Sequence, residues 1–149
     1  MDYLQQIFER ISHSLRSPLG VAQQTLNDAA AGMELSQEDF SDARASLSKI
    51  VANLDYLKSL GSGDPKPSAD QKINFAATLI ADYLKRRDIM LDHFIVKDRK
   101  LICYLKGFEA NNLLDFIVKD QGIFSISALY GLYLLESQGV LLVVERVKS

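Results

Sequence analysis

The sequence predicts an α+β protein, with a long antiparallel helical hairpin in residues 1–60 and a small α/β domain in residues 71–149. Apolar residues recur every three or four positions over two long stretches of residues 1–60, which is typical of amphipathic helices. Residues 61–70 hold two glycines and two prolines and no large apolar residue, which indicates a linker. After this linker, helix-like and strand-like segments alternate.

Composition limits the classes of function. The chain has 149 residues, of which 48% are hydrophobic, and a formal net charge of −2. This charge and the absence of a polybasic run argue against nucleic acid or a membrane surface as partners. No stretch of 18 apolar residues occurs, so we expect a cytoplasmic globular protein. The single Cys103 forms no internal disulfide and has no neighbouring ligands for zinc.

The first helix is predicted from Tyr3 to Ala31 or Met33. Pro18 lies inside it and removes one backbone donor, so we expect a kink there. Gly32 occupies the place of a C-cap glycine. The apolar stripe of this helix consists of Leu4, Phe8, Ile11, Leu15, Leu19, Ala22, Leu26, Ala29 and Met33.

The second helix is predicted to begin at Ser36, an N-cap residue followed by acidic residues, and to end at Gly61. Its stripe follows a heptad pattern, so we expect both stripes to be core seams. Two helices alone bury little surface, and association of residues 1–60 with a second copy would complete a four-helix bundle. The sequence therefore predicts a homodimer. The stripe consists of Phe40, Ala43, Leu47, Ile50, Leu54 and Leu57.

Residues 71–149 predict the order α-β-β-α-α-β, with helices layered on a small mixed sheet. His93 is expected to be a half-buried structural residue, and Cys103 a core thiol. Charged residues 97–100 suit a hairpin turn. The predicted segments are a helix Asn74–Arg87, strands Met90–Val96 and Leu101–Leu105, helices Phe108–Val118 and Ser125–Ser137, and a buried strand Val140–Val144.

His13 stands out on the first helix. It lies two residues from both Ile11 and Leu15, about 200° around the helix from each. The imidazole therefore projects away from the apolar stripe, on the solvated side that also carries Arg16, Ser17, Gly20 and Gln24.

The segment Ser12–Leu19, Ser-His-Ser-Leu-Arg-Ser-Pro-Leu, resembles the H-box of bacterial sensor histidine kinases, usually Ser-His-Glu-Leu-Arg-Thr-Pro-Leu. The resemblance is specific over residues 1–60, which include the helical hairpin. Its context also agrees, because a linker and an α/β segment follow in the place of the kinase's ATP-binding domain. It implies that His13 is a phosphoacceptor on a dimeric four-helix bundle.

The chain also departs from this family. Ser14 stands where the kinases carry an acidic residue that assists autophosphorylation. Asp115 and Lys119 align with the paired asparagines that hold Mg²⁺ and nucleotide, and Lys119 would repel the cation. Of the glycine motifs only Tyr130-Gly131 remains. Residues 71–149 thus resemble a degenerate ATPase domain without autokinase activity.

The resemblance implies a phosphorelay histidine phosphotransferase that exchanges a phosphoryl group with receiver-domain aspartates of response regulators, with a hybrid kinase as a possible upstream donor. The chain itself would bind no cofactor or metal, and the receiver would supply Mg²⁺. Arg16 would contact the phosphoryl oxygens, and Ser17 takes the position that orients water in the kinases, which leaves reverse phosphatase activity open. Partner contacts are expected at Pro18, Val21, Gln24 and the region of helix two near Leu54–Lys58.

Two alternatives remain. The chain could be a non-catalytic dimeric docking protein derived from a kinase, which binds a kinase or receiver without being phosphorylated. An active kinase is disfavoured by the missing nucleotide motifs, and ATP binding would revive it. Replacement of His13 by Ala separates the phosphotransferase from the docking protein, because docking would survive and relay would stop.

Overall fold

The computed structural model describes residues 2–62, 68–106 and 113–147 and confirms the α+β class. It divides into two compact units, Glu9–Ser62 and Met1–Phe8 with Gly63–Ser149. No helix in the described ranges is long and apolar enough to cross a bilayer. The elements are α1 Tyr3–Ala30, α2 Gln37–Ser62, α3 Ala69–Arg86, β1 Met90–Lys97, β2 Lys100–Lys106, α4 Leu113–Lys119, α5 Ser125–Ser137 and β3 Leu141–Val147.

Local capping ends α1 and begins α2, as the sequence predicts. Gly32 adopts a φ of +78°, and the N–H of Met33 donates to the Asp28 carbonyl over 3.0 Å, which is a Schellman end. At the next helix the Asp39 N–H donates to Ser36 Oγ over 3.1 Å, and the Ser36 N–H donates to Asp39 Oδ2 over 2.9 Å. Each cap uses residues no more than five positions apart.

The two apolar stripes are partly exposed within a single chain, so their prediction as core seams depends on the predicted second copy and stays a prediction. Seven of their large side chains are between 47% and 70% exposed. Six of the seven, all except Phe8, are spaced seven residues apart along the sequence, and two helices offer each other too little surface to cover them. These six residues, here called the exposed heptad face, are Leu19, Leu26, Met33, Phe40, Leu47 and Leu54.

The second unit has its core between α3, α5 and one face of a mixed sheet. β1 and β2 are antiparallel and joined by Asp98 and Arg99, whose φ values of 51° and 59° fit a type I′ hairpin. β2 and β3 are parallel, and α4 and α5 connect them. Gly131 of α5 permits close approach to α3, because a Cβ there would lie 3.0 Å from the Ala76 carbonyl oxygen.

This unit contains a buried thiol, Cys103, and a buried hydroxyl, that of Tyr83. Cys103 is buried, as predicted, and burial raises the pKa of its thiol to about 11. The Tyr83 hydroxyl donates to Asp120 Oδ2 over 2.8 Å. Asp120 also pairs with Arg87 at 2.6 Å and accepts the Gly122 N–H over 2.8 Å. This Tyr83–Asp120–Arg87 cluster ties the end of α3 to the segment between α4 and α5.

Three predictions in this unit require correction. The strand predicted to be buried at Val140–Val144 is β3 and is only partly buried: Val140 just before it is buried, residues 142–144 are half-buried, and Leu141 is 66% exposed. His93 is exposed rather than half-buried, since it lies on the sheet face opposite Cys103, where it stacks on Tyr104 at 4.3 Å. α3 begins at Ala69, five residues earlier than predicted.

The remaining boundaries follow the predictions closely or fall outside the described ranges. α5 has the predicted bounds. Of the helix predicted at Phe108–Val118, residues 108–112 lie outside the described residues, and so do residues 63–67 of the predicted linker.

Candidate functional site

His13 lies near the middle of α1, and its side chain is exposed. Arg16 and Ser17, three and four positions further on, are also exposed. On a helix such positions are neighbours, with Cβ atoms about 5–6 Å apart. Among the described residues, none hydrogen-bonds to the His13 ring or to the Arg16 guanidinium. Both groups are therefore available to an approaching partner.

Ser14, which follows the histidine, does not replace the missing acidic group. Its hydroxyl donates a hydrogen bond to the Ile11 carbonyl oxygen over 3.0 Å, within the same helix. A hydroxyl held in this way offers the imidazole no negative charge.

A groove of about 430 Å³ begins at Ser17 and runs between α1 and α2. It brings together three predicted site residues, since Ser17, Val21 and Gln24 all line it. Its opposite wall comes from the beginning of α2, not from Leu54–Lys58, where the sequence placed the partner contacts. The lining residues are Ser17, Gly20, Val21, Gln24, Thr25, Asp28, Leu35, Asp39 and Asp42.

The charge of this groove was not predicted. Three of its lining residues, Asp28, Asp39 and Asp42, carry carboxylates, and none is Lys or Arg. Gln24 Nε2 donates to Asp28 Oδ1 over 2.9 Å, so the Asp28 carboxylate is held close to the surface of α1. Periodicity could not reveal this wall, because Asp39 and Asp42 join it only through the way α2 lies beside α1.

Pro18 differs from the other predicted partner contacts, because it is buried. Its side chain is therefore not part of the surface that His13 and Ser17 present. α1 continues through Pro18 without a break in its secondary structure. The assignment of Pro18 as a partner contact stays a prediction.

Sequence reasoning missed one residue near the histidine. Asn53 of α2 is buried, and its side-chain amide donates to the Ser14 carbonyl oxygen over 3.3 Å. The available signal was a polar residue in the apolar segment Ile50–Leu54, directly before the seam residue Leu54. The pattern could not name its partner, which lies 39 positions away.

Asp115 and Lys119 are the two residues that the resemblance aligns with the kinase asparagines, and their role stays a prediction. Asp115 and Lys119 are both exposed on the short helix α4. Within the described ranges, no group of three or more His, Cys, Asp or Glu side chains is placed to hold a metal ion. Gly131, the remaining glycine of the aligned motif, packs against α3.

No family model matches this chain, and no curated protein or solved structure matches it.

Proposed function

We propose that the chain is a phosphorelay histidine phosphotransferase, in which His13 exchanges a phosphoryl group with receiver-domain aspartates. The observation that carries this proposal is the exposed His13 ring, which makes no hydrogen bond to the described residues. The ring lies beside Arg16 and Ser17, and Ser17, one helical turn further on, begins an open groove. Phosphoryl transfer has a loose transition state, so a positioned nucleophile and charge stabilisation supply most of its catalysis.

The chemistry requires little from this chain. The unprotonated ring nitrogen of His13 forms the N–P bond as the O–P bond of the receiver's acyl phosphate breaks, and the aspartate carboxylate leaves. The other ring nitrogen keeps its hydrogen. The Arg16 guanidinium neutralises charge on the phosphoryl oxygens. Mg²⁺ comes with the receiver, and the proposed role needs no cofactor from this chain.

The groove from Ser17 to Asp28 supports a docking role for the same face. Its lining includes Gly20, the exposed Val21 and three carboxylates. A receiver element that carries apolar and basic side chains would complement both features. Ser17, Val21 and Gln24 are the proposed contacts, with Asp42 of α2 as an electrostatic one.

The proposed assembly is a homodimer in which α1 and α2 form an antiparallel hairpin that pairs with a second copy as a four-helix bundle. The exposed heptad face supports this, because six large apolar side chains at seven-residue spacing fit such a partner. For the second unit, the element order α-β-β-α-α-β supports a degenerate ATPase-like domain. We place the protein in the cytoplasm, where receiver domains are found.

The test is phosphoryl transfer from phosphorylated receiver domains of the same genome. Wild type and His13→Ala are incubated with each ³²P-labelled receiver and Mg²⁺, and binding is measured in parallel. The expected result is acid-labile label on the wild type and none on His13→Ala, with equal receiver binding. Binding without transfer to either chain would refute the relay and favour the docking-protein alternative.

A further inference from the structure

The Ser14 carbonyl oxygen lies at a point where α1 lacks a donor. In a regular helix this oxygen accepts the N–H of the residue four positions later. That residue is Pro18, which has no N–H and whose ring crowds the same carbonyl. Because α1 continues through this turn, the carbonyl needs a donor from elsewhere to remain satisfied.

Asn53 of α2 supplies this donor. Its Nδ2 group donates a hydrogen bond to the Ser14 carbonyl oxygen over 3.3 Å. Asn53 is only 9% exposed, and burial of an amide is costly unless the amide is hydrogen-bonded. The buried amide and the oxygen that Pro18 leaves without a helical partner therefore satisfy each other.

The position of this bond matters for the histidine. His13 lies just before Ser14, while Arg16 and Ser17 lie between Ser14 and Pro18. All three side chains are exposed, so little packing fixes their arrangement. The backbone of this single turn sets where the imidazole stands relative to the guanidinium and the hydroxyl.

We propose that Asn53 is a positioning residue for His13. By replacing the N–H that Pro18 lacks, it keeps the turn from opening and holds His13 in place relative to Arg16 and Ser17. This inference rests on the proposed phosphotransfer for its effect on rate, whereas the positioning itself is a property of the free protein. In-line attack of the His13 nitrogen on the phosphorus atom depends on such placement, and a small displacement of the imidazole lowers the transfer rate strongly.

The test is a double-mutant cycle on the full chain with Asn53→Ala, Pro18→Ala and both together. Pro18→Ala restores the backbone N–H, so Asn53 becomes dispensable in that background. Asn27→Ala, which removes an exposed asparagine of α1, is the matched control. Two quantities are measured, namely the single-turnover transfer rate against receiver concentration and the NMR resonances of the His13 ring.

Asn53→Ala should lower the rate at saturating receiver about tenfold, with the half-saturating concentration changed less than about twofold and the His13 resonances shifted. The double variant should match Pro18→Ala in both measurements within about twofold. Asn27→Ala should behave as wild type.

Wild-type behaviour of Asn53→Ala, or an equal loss in both backgrounds, would overturn the inference. If wild type accepts no phosphoryl group, the proposed function fails, and the His13 resonances alone decide the positioning role. If Asn53→Ala does not fold, the double variant must fold, because it has regained the missing N–H. An unfolded double variant overturns the role of Asn53.

Discussion

The Tyr83–Asp120–Arg87 cluster predicts how the stability of the α/β unit depends on pH. Tyr83 is fully buried, and its hydroxyl donates to Asp120 Oδ2 over 2.8 Å. Tyr83→Phe removes this bond and leaves Asp120 paired with Arg87 and bonded to the Gly122 N–H. A hydrogen bond to a charged group contributes about 1.5–3 kcal/mol, so the variant should lose about that much free energy of unfolding at pH 7.

The same cluster fixes the sign of an alkaline effect. Burial, followed by the hydrogen bond to Asp120 and its negative charge, raises the pKa of Tyr83 well above 10, although Arg87 opposes the shift. The folded chain therefore keeps a proton that the unfolded chain releases near pH 10. This contribution is fully present below pH 10 and falls as pH rises further, by at most about 1.4 kcal/mol per pH unit.

The assay is urea denaturation at pH 7, 9, 10 and 11, with amide hydrogen exchange of α3 as a readout local to this unit. Tyr104→Phe is the matched control, because within the described chain its hydroxyl has no hydrogen-bond partner, and it should change stability by less than about 0.5 kcal/mol. The difference between wild type and Tyr83→Phe should shrink between pH 10 and pH 11. A difference that is absent at pH 7, or that stays constant to pH 11, would refute the reasoning.

Three further predictions concern packing, docking and association. Gly131→Ala should destabilise α5 by about 1–3 kcal/mol more than Gly20→Ala destabilises α1, because a Cβ at Gly131 meets backbone at 3.0 Å and one at Gly20 meets nothing within 4 Å. Hydrogen exchange of each helix measures the two effects, and equal effects would contradict this contact. Asp42→Asn should weaken receiver binding about two- to fivefold at low salt, measured by calorimetry, whereas Glu38→Gln outside the groove should not, and equal effects would remove the groove from the docking surface. Leu47→Lys on the exposed heptad face should lower the mass of the assembly in light scattering from about two chains to one, and an unchanged mass would exclude this face as the dimer interface.

The sequence predicted the features that depend on neighbours along the chain. The Gly32 end of α1 and the Ser36 start of α2 use hydrogen bonds that span at most five residues. The bounds of α5 and the hairpin turn at residues 97–100 were predicted for the same reason. The exposure of His13 follows from periodicity alone, because a residue about 200° from an apolar stripe faces away from it.

Side-chain burial was predicted less well, because periodicity shows which residues share a face but not what covers that face. The exposed heptad face has the spacing of a core seam, and whether a second copy covers it stays a prediction. His93 was expected to be half-buried and is exposed, because its side chain lies on the sheet face away from Cys103.

By itself, the sequence determined the α+β class, the end of α1, the start of α2 and the place of His13 on an exposed helical surface. Only the tertiary structure decided that Asn53 bonds to Ser14, 39 positions away, and that Tyr83 and Arg87 share Asp120. Local hydrogen bonds and periodicity depend on residues that are close along the chain, so they can be predicted from the sequence. Contacts between elements depend on how helices and strands pack in three dimensions, and composition and spacing do not specify that packing.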